Sequence, residues 1–480
     1  MDNKKSGGVQ LSKSISLVGY LGMGVGAVFG ASWLLTTGIW IDRAGGPINA
    51  LLAFVLCFLV ELPLVLAYYE AVPMIPLAGG ELSYSYLSFG NLVGMLVGWF
   101  GVLVNVILCA WEVLAISRLL SFLFPAISNA APLYKIGGSP ITLPAIVIGL
   151  LLIVGIGFIQ YRGARLSSRF STIITITVIS LALISVVVGI CNFNPANLQP
   201  LQSKDTVVGT VSLLAMLPFS IAGWETVSKG AQEAGKGVSY KKIGASVVIS
   251  LAIATTMYIL TLFVPTGLIP WQTMSETTAP FAAAMTKIGF PVLGTLLIAA
   301  ACFGVIGVYN AVFFGATRLL LTMGEYGLVP KSFSRLHPKY HSPSTAIIFV
   351  SVISSIILFV GQSMFIPLID VAAVAYIVLW GATLASVLRL RSKYPNLKRP
   401  AKYPGGKPLM YVGLLVSVIL LGLMLIPGSP AALIWPVEYI TLAIMIVLGI
   451  VLYVMRDKSL SEEERAKRIL GEIADELEKV

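Results

Sequence analysis

Residues 22–32 read Gly22-Met23-Gly24-Val25-Gly26-Ala27-Val28-Phe29-Gly30-Ala31-Ser32, with four glycines in nine residues. This stretch lies inside an apolar run, residues 15–41, that is long enough to cross a bilayer. Glycine exposes the backbone and lowers helix stability. The repeated glycines therefore predict an unwound stretch within this membrane segment.

A second interrupted segment opens the other half of the chain. Residues 208–229 contain Pro218-Phe219-Ser220-Ile221-Ala222-Gly223-Trp224-Glu225, which brings a proline, a glycine and a carboxylate into an otherwise apolar run. Unwound backbone at membrane depth occurs only where it is buried in protein or lines a cavity, because its N–H and C=O groups need partners. Two interruptions at corresponding positions of two halves are typical of a secondary transporter's substrate site.

The composition is that of an integral membrane protein. Hydrophobic residues make up 57% and charged residues 11% of the chain, whereas an ordinary soluble domain has about 25% charged residues. At about 20 residues per crossing, the apolar runs predict an all-α protein with twelve transmembrane helices. The runs are residues 15–41, 47–71, 92–124, 141–160, 170–190, 208–229, 243–266, 289–322, 344–362, 366–390, 409–427 and 434–455.

The distribution of positive charge predicts the orientation. With both termini in the cytoplasm, only Arg43, Lys135, Lys204 and Lys287 fall in outer loops, and Arg118 lies within a helix. All other Lys and Arg residues then lie on the inner side, as the positive-inside rule requires. The net charge of +11 thus indicates membrane topology and no nucleic-acid partner. We expect a multi-pass protein of the plasma (inner) membrane.

The sequence has few residues that could form a metal site or carry out covalent catalysis. The four cysteines lie in or beside apolar runs without metal-site spacing, and the two histidines lie in a basic inner loop. We expect no metal, no cofactor and no enzymatic activity.

The loops are short, and no linker separates independent domains. We predict a cytoplasmic leader, one transporter domain of two inverted five-helix repeats plus two extra helices, and a cytoplasmic amphipathic tail. The bounds are 1–14 for the leader, 15–455 for the domain, about 15–190 and 208–390 for the repeats, 409–455 for the extra helices and 456–480 for the tail.

The tail differs in character from the rest of the chain. Ser461 and Glu464 have the spacing of a capping box. Apolar residues then recur at helical spacing, at Ala466, Ile469, Leu470, Ile473 and Leu477. The pattern predicts a helix that either packs on the cytoplasmic face or binds a partner as a regulatory element.

Glu112 is the first candidate for a functional side chain. It lies midway along the third run with apolar sequence on both sides, and ionisable groups at membrane depth are costly and usually functional. It can bind a substrate amine, carry a proton or pair with Arg118. Six residues of helix correspond to about 600°, so Glu112 and Arg118 do not share a helix face.

Two further acids are candidates for coupling or gating. Glu225 follows the second interruption and is expected either to brace the freed backbone N–H groups or to carry a proton. Glu70 lies near the cytoplasmic end of the second run and is expected to close a gate.

The two interruptions also supply backbone groups. Free N–H groups near Gly30, Ala31 and Ser32 suit a carboxylate, whereas the carbonyls of Val28 and Ala222 suit an ammonium group. A zwitterion fits both, although the carbonyls could instead hold a cation. Phe219 and Trp224 flank the second interruption and are expected either to cover the substrate or to be ordinary core or lipid-facing aromatics.

Several separate stretches resemble the amino acid–polyamine–organocation (APC) superfamily, whose fold is the leucine-transporter-like inverted repeat with broken first and sixth helices. The resemblance covers about 15–455 and depends on the order and spacing of its motifs. They are Gly26 to Ser32, Glu70 with Pro76-Leu77-Ala78-Gly79-Gly80-Glu81, Gly98-Trp99, Phe219 to Glu225, and Asn310 with Gly315-Ala316-Thr317-Arg318 leading into Met323 to Phe333.

The resemblance implies an amino acid permease that works by alternating access. It implies that the amides of Gly30, Ala31 and Ser32 bind the substrate carboxylate and that carbonyls at Val28, Phe219 and Ala222 receive its amino group. Some branches carry a glutamate on the third helix in the substrate site, which Ala110-Trp111-Glu112 resembles.

Three departures from the family bear on mechanism and partners. The family usually has Ser-Gly where this chain has Ala31-Ser32, which puts an extra side chain near the carboxylate pocket. Proton-coupled branches place a lysine on the fifth helix, near Val178 here, but residues 170–190 contain none. Heteromeric members of the family pair with a heavy chain through a cysteine in the outer loop between the third and fourth helices. Residues 125–140 contain no cysteine, so we expect no disulfide-linked heavy chain.

These observations predict a secondary transporter of an amino acid or small amine, by proton-coupled symport or by exchange (antiport). The alternative is a transporter-like nutrient sensor that signals through the tail. A membrane enzyme would need a clustered catalytic set, which the sequence lacks.

Overall fold

The structure is a computed structural model that describes residues 11–127, 129–136, 139–214, 216–361, 365–429, 432–459 and 461–478. Residues 1–10 of the predicted leader and residues 479–480 of the predicted tail lie outside the described residues. Residue 215, inside the second interrupted segment, does so as well.

The all-α fold class is confirmed, because helices dominate the described chain. In these residues the α-helices are α1 (Leu17–Val28), α2 (Ser32–Leu35), α3 (Thr37–Ala44), α4 (Pro47–Met74), α5 (Glu81–Phe89), α6 (Asn91–Leu123), α7 (Leu143–Tyr161), α8 (Ala164–Cys191), α9 (Thr206–Leu214), α10 (Leu217–Ser220), α11 (Thr226–Lys229), α12 (Tyr240–Leu268), α13 (Pro280–Lys287), α14 (Pro291–Glu325), α15 (Ser344–Val360), α16 (Phe365–Lys393), α17 (Gly406–Leu425), α18 (Val437–Val454) and α19 (Glu462–Glu478).

Shorter elements occupy the connections. The 3₁₀ turns are Pro125–Ile127, Pro195–Leu198, Ala231–Glu233, Trp271–Met274 and Lys331–Ser334. Strands β1 (Pro132–Ile136) and β2 (Ser139–Thr142) pair antiparallel before α7.

Ten helices in the described part of the chain are long and apolar enough to cross a membrane, counting α1 and α2 together as one. The chain is therefore a multi-pass membrane protein. The predicted segment 344–362 contains α15, an apolar helix that is shorter than these ten. The predicted segment 208–229 contains three short helices, α9, α10 and α11, in place of one long helix.

The two interrupted segments meet in the centre of the helix bundle. α1 packs against α8, α12 and α14, and α14 also packs along α6. Gly223, in the second interruption, has a φ of +117°, and a Cβ there would lie 2.5 Å from the carbonyl oxygen of Ala27. Only glycine combines this backbone angle with so close an approach. The fold thus brings the backbones of the two interruptions into direct contact.

The tail forms α19, which packs against other parts of the protein. Its capping box is confirmed, because Glu464 accepts from the Ser461 amide (2.8 Å) and the Glu464 amide donates to Ser461 Oγ (3.3 Å). Glu476 pairs with Lys13 and accepts from the Tyr240 hydroxyl (2.9 Å), which ties α19 to the chain before α1 and to the start of α12.

Candidate functional site

The first interruption separates α1 from α2. The Phe29 amide still donates to Val25 (2.8 Å), but the Gly30 amide turns back to the Val28 carbonyl (3.1 Å). Among the described residues, no hydrogen bond is found for the amides of Ala31 and Ser32. Of the three amides predicted to bind a carboxylate, two are therefore available and that of Gly30 has an internal partner.

The second interruption separates α10 from α11. Glu225 Oε2 accepts a hydrogen bond from the Gly223 amide (3.0 Å), which is a backbone N–H group freed by the loss of helix. This contact is the one expected of a brace. The other oxygen of Glu225 faces Lys229 (3.1 Å from Nζ), so the carboxylate also takes part in an ion pair.

A small cavity lies between the two interruptions, and we call it the junction cavity. Its volume is about 20 Å³, which is little more than one water-sized group needs. An amino acid can enter only if the walls move apart, so this conformation is a closed one. The lining residues are Ala27, Val28, Gly30, Ser32, Leu108, Trp111, Glu112, Phe219, Ser220, Ala222 and Val308.

Six predicted binding residues line the junction cavity and two do not. The six are Val28, Gly30, Ser32, Glu112, Phe219 and Ala222. Ala31 is buried and is not among the lining residues. Trp224 packs away from the cavity in an aromatic cluster with Tyr68 and Trp380, where its Nε1 donates to Glu61 Oε2 (3.2 Å).

Glu112 brings a carboxyl group against the first interruption. Its side chain is buried, and a Cβ added to Gly30 would lie 3.2 Å from Oε1. Oε2 has no hydrogen-bond partner in the described structure. Among the ion pairs of the described residues, none joins Glu112 to Arg118. A buried polar atom without a partner is costly, which makes Oε2 a natural contact for a bound group.

Tyr258 already occupies one predicted acceptor. Its hydroxyl, on α12, donates to the Val28 carbonyl (2.8 Å), and its ring packs against Phe29 and Trp40. Sequence reasoning missed this residue, because nothing in the pattern of α12 indicates that it reaches the first interruption.

A fully buried group of charges lies beside the second interruption. Lys229 Nζ is 3.1 Å from Glu225 Oε1 and 3.4 Å from Glu81 Oε1, and all three side chains have 0% exposure. We call Glu81, Glu225 and Lys229 the charge cluster. Of these three residues, only Glu225 was predicted as a functional residue. The sequence signal for the cluster was Lys229, a lysine at the end of an apolar run.

Glu70 lies in a separate ion-pair network. Its carboxylate accepts from Arg391 Nε (3.0 Å) and from the Tyr403 amide (2.7 Å), and Arg399 Nε lies 3.8 Å away. The predicted gating acid therefore ties α4 to the end of α16 and the segment that follows it.

Comparison with known proteins finds relatives that are named as transporters or permeases. The profile of the family described as "Amino acid permease" matches residues 15–452. The "Methylthioribose transporter" of Bacillus subtilis (strain 168) is 26% identical over 82% of this chain and 84% of its own length. The "Branched-chain amino acid permease BcaP" of the same organism is 27% identical over 83% and 85%. The human "Large neutral amino acids transporter small subunit 2" is 26% identical over 85% and 75%.

Proposed function

Because the chain belongs to the amino acid permease family of the APC superfamily, we propose that it carries an amino acid or a small amine across the plasma membrane by alternating access. The family and the transporter names of its relatives point to a transporter and away from an enzyme. The finer parts of the proposal concern the substrate site, the topology and the coupling ion.

The observation that carries the proposal is the position of Glu112. Its carboxyl group reaches a cavity walled by backbone from both interruptions, and Oε2 lacks a hydrogen-bond partner in the described structure. An ammonium group of a substrate supplies the missing donor. Ser32 lines the cavity, and its amide supplies a donor for a carboxylate of the same substrate.

Phe219 and Ala222 bring the second interruption to the wall of the junction cavity. The carbonyls predicted to receive an amino group belong to this wall and to Val28. Since Tyr258 already donates to Val28, the carbonyls of the second interruption are the freer acceptors. We assign Trp224 to the packing that supports this wall, with no direct contact to substrate.

For topology we propose twelve transmembrane segments, with the interrupted segments as the first and sixth. The ten long apolar helices, α15 and the α9–α11 group account for these twelve. Two inverted five-helix repeats and cytoplasmic termini follow from this count and from the positions of Lys and Arg.

For coupling we propose proton-linked symport or exchange. A single carboxyl group that faces a closed cavity without a cationic partner is stable in its neutral, protonated form. It can release its proton when substrate or water reaches it. Glu112 is thus suited both to meet a substrate amine and to carry a proton.

A thermal-shift screen of the purified full-length protein tests the substrate site. The probes are L-leucine, L-arginine and methylthioribose, chosen from the substrate classes in the relatives' names. We expect at least one probe to raise the unfolding temperature of the wild type and not that of Glu112→Gln. Glu276→Gln, an exposed acid in an outer loop, is the matched control and should respond like the wild type. Equal stabilisation of wild type and Glu112→Gln would remove Glu112 from the binding site.

A further inference from the structure

We propose that the charge cluster is a second, separate proton-binding site, in which Glu81 carries a proton in this closed conformation. As a coupling device it rests on the proposed transport function, but its proton binding can be tested without any substrate. No sequence pattern indicates this site, because its three members come from two segments that meet only in the folded protein.

The geometry of the cluster is that of a closed internal site. Lys229 reaches Glu225 from its own segment and Glu81 from the start of α5, and none of the three side chains is exposed to solvent. A backbone hydrogen bond also joins the turn before α5 to α11, since the Gly79 amide donates to the Lys229 carbonyl (3.2 Å). None of these three residues lines the junction cavity, so the two sites are distinct.

The charges of the cluster do not balance unless a proton is present. Two carboxylates face one ammonium group, and in the described part of the chain no other Lys or Arg forms an ion pair with Glu81 or Glu225. Arg318 on α14 is itself paired with Glu233 (2.7 Å). An uncompensated charge in a buried site costs several kcal/mol, so one carboxyl group must be neutral.

Neutral and acidic groups surround the cluster on its other sides. Tyr68 and Glu61 face it from α4, Tyr84 from α5 and Tyr376 from α16. Gly315 on α14 faces the aliphatic part of Lys229, and Asn105 on α6 lies beside the same glycine. None of these groups supplies the missing positive charge.

Hydrogen-bond accounting assigns the proton to Glu81. Ser228 Oγ lies 2.7 Å from the Glu225 carbonyl oxygen and 3.2 Å from Glu81 Oε2. A serine hydroxyl has one proton, and a carbonyl oxygen can only accept. Ser228 therefore donates to the Glu225 carbonyl, and the contact with Glu81 is a hydrogen bond only if Glu81 is protonated and donates to Ser228 Oγ.

The remaining contacts agree with this assignment. Glu225 accepts from both Lys229 and the Gly223 amide, so each of its oxygens already has a donor. Glu81 Oε1 has no hydrogen-bond partner in the described structure and lies farther from Lys229. Burial raises the pKa of the Glu81 carboxyl, and the neighbouring Lys229 offsets only part of that effect.

The position of the site links its proton to opening of the protein. Separation of α5 from α11 would expose Glu81 to water and remove it from Ser228. Its pKa would then return towards the ordinary value for glutamate, and the proton would leave at neutral pH. Closure would bind it again. The cluster thus provides a proton that is exchanged once per opening.

Thermal unfolding as a function of pH tests the assignment. A carboxyl group with a raised folded-state pKa stabilises the protein at low pH, and this stability is lost as the pH rises through that pKa. We expect the wild-type unfolding temperature to fall as the pH rises above the ordinary pKa of a glutamate. The fall should be smaller in Glu81→Gln, whose amide is a neutral mimic of the protonated acid, and unchanged in the exposed control Glu276→Gln.

A second variant keeps the test decisive if Glu81→Gln does not fold. In Glu225→Gln one carboxylate remains for one ammonium group, so Glu81 becomes charged and the fall in unfolding temperature should again be smaller than in the wild type. A fall as large as that of the wild type, in whichever variant folds, would overturn the proposal. Because no substrate is present, this outcome is independent of whether the wild type transports any probe.

Discussion

Glu112 and Glu81 are both glutamates buried in this protein, and the difference between their surroundings separates two functions. Glu112 faces the junction cavity, has one oxygen without a hydrogen-bond partner in the described structure, and has no ion pair there. Glu81 lies in the charge cluster, beside a lysine that a second carboxylate already neutralises. An acid that faces a cavity can meet a substrate, whereas an acid locked between two helices can only exchange a proton.

Removal of the cation from the charge cluster should lower the unfolding free energy more than any other substitution considered below. Lys229→Met leaves the buried carboxylate of Glu225 without its cation, and breaking a buried pair costs about 3–5 kcal/mol of unfolding free energy. The loss should be milder at pH 5 than at pH 8, because a proton can then neutralise the buried charge that has lost its cation. Thermal denaturation followed by tryptophan fluorescence measures it, with the exposed Lys287→Met as the control. If the unfolding temperature of Lys229→Met matches that of the wild type, the charge cluster does not differ from the Glu112 site in its contribution to stability.

Glu112→Gln should produce the opposite pattern. Its unfolding temperature without substrate should stay close to that of the wild type, because the amide is neutral and of similar size. The affinity for a cationic or zwitterionic probe should fall about 10- to 100-fold, since a hydrogen bond to a charged group contributes about 1.5–3 kcal/mol. Calorimetric titration of the probe identified by thermal shift measures this. A stability loss like that of Lys229→Met, with affinity intact, would make Glu112 a structural acid.

Tyr258→Phe tests how far the first interruption is fixed in advance of binding. Loss of the hydroxyl removes one hydrogen bond to the Val28 carbonyl, which should lower the unfolding free energy by about 1 kcal/mol. Affinity for the same probe should not fall, because Tyr258 competes with a substrate amine for that carbonyl. A large loss of affinity would show instead that the hydroxyl organises the junction cavity.

The smallest effect is expected at the tail. Glu476→Gln removes the ion pair with Lys13, whose side chain is 34% exposed, and such pairs contribute about 0–1 kcal/mol. Probe affinity should be unchanged, since α19 contributes no residue to the junction cavity. A change of affinity in this variant would couple the tail to the substrate site and revive the sensor interpretation.

The sequence was sufficient to identify most of the junction cavity. Glycine, proline and acidic residues are costly inside apolar membrane runs, so their presence there located Gly30, Ser32, Glu112 and Ala222. For Trp224, spacing could not separate a substrate cover from a core residue. That choice depends on Trp380 and Tyr68, which are distant in sequence and pack against it in the fold.

For the same reason, sequence reasoning could not identify Tyr258 or the pairing of residues within the charge cluster. Lys229 lies at the end of an apolar run, and Glu81 belongs to one of the motifs that resemble the family, so neither position indicates a partner. Their pairing depends on the packing of α5 against the segment that contains α11, which no local pattern encodes. Interactions between distant segments are set by tertiary packing, whereas helix interruptions are set by local backbone preference.

The most direct test of the distinction between the two sites compares Glu112→Gln and Glu81→Gln with the wild type in proteoliposomes. Two quantities are measured for the probe identified by thermal shift: counterflow without a pH gradient, and accumulation driven by a proton gradient. We expect Glu112→Gln to lose both activities, and Glu81→Gln to retain counterflow while losing accumulation. If both variants lose the same activity to the same extent, the junction cavity and the charge cluster do not have separate roles in transport.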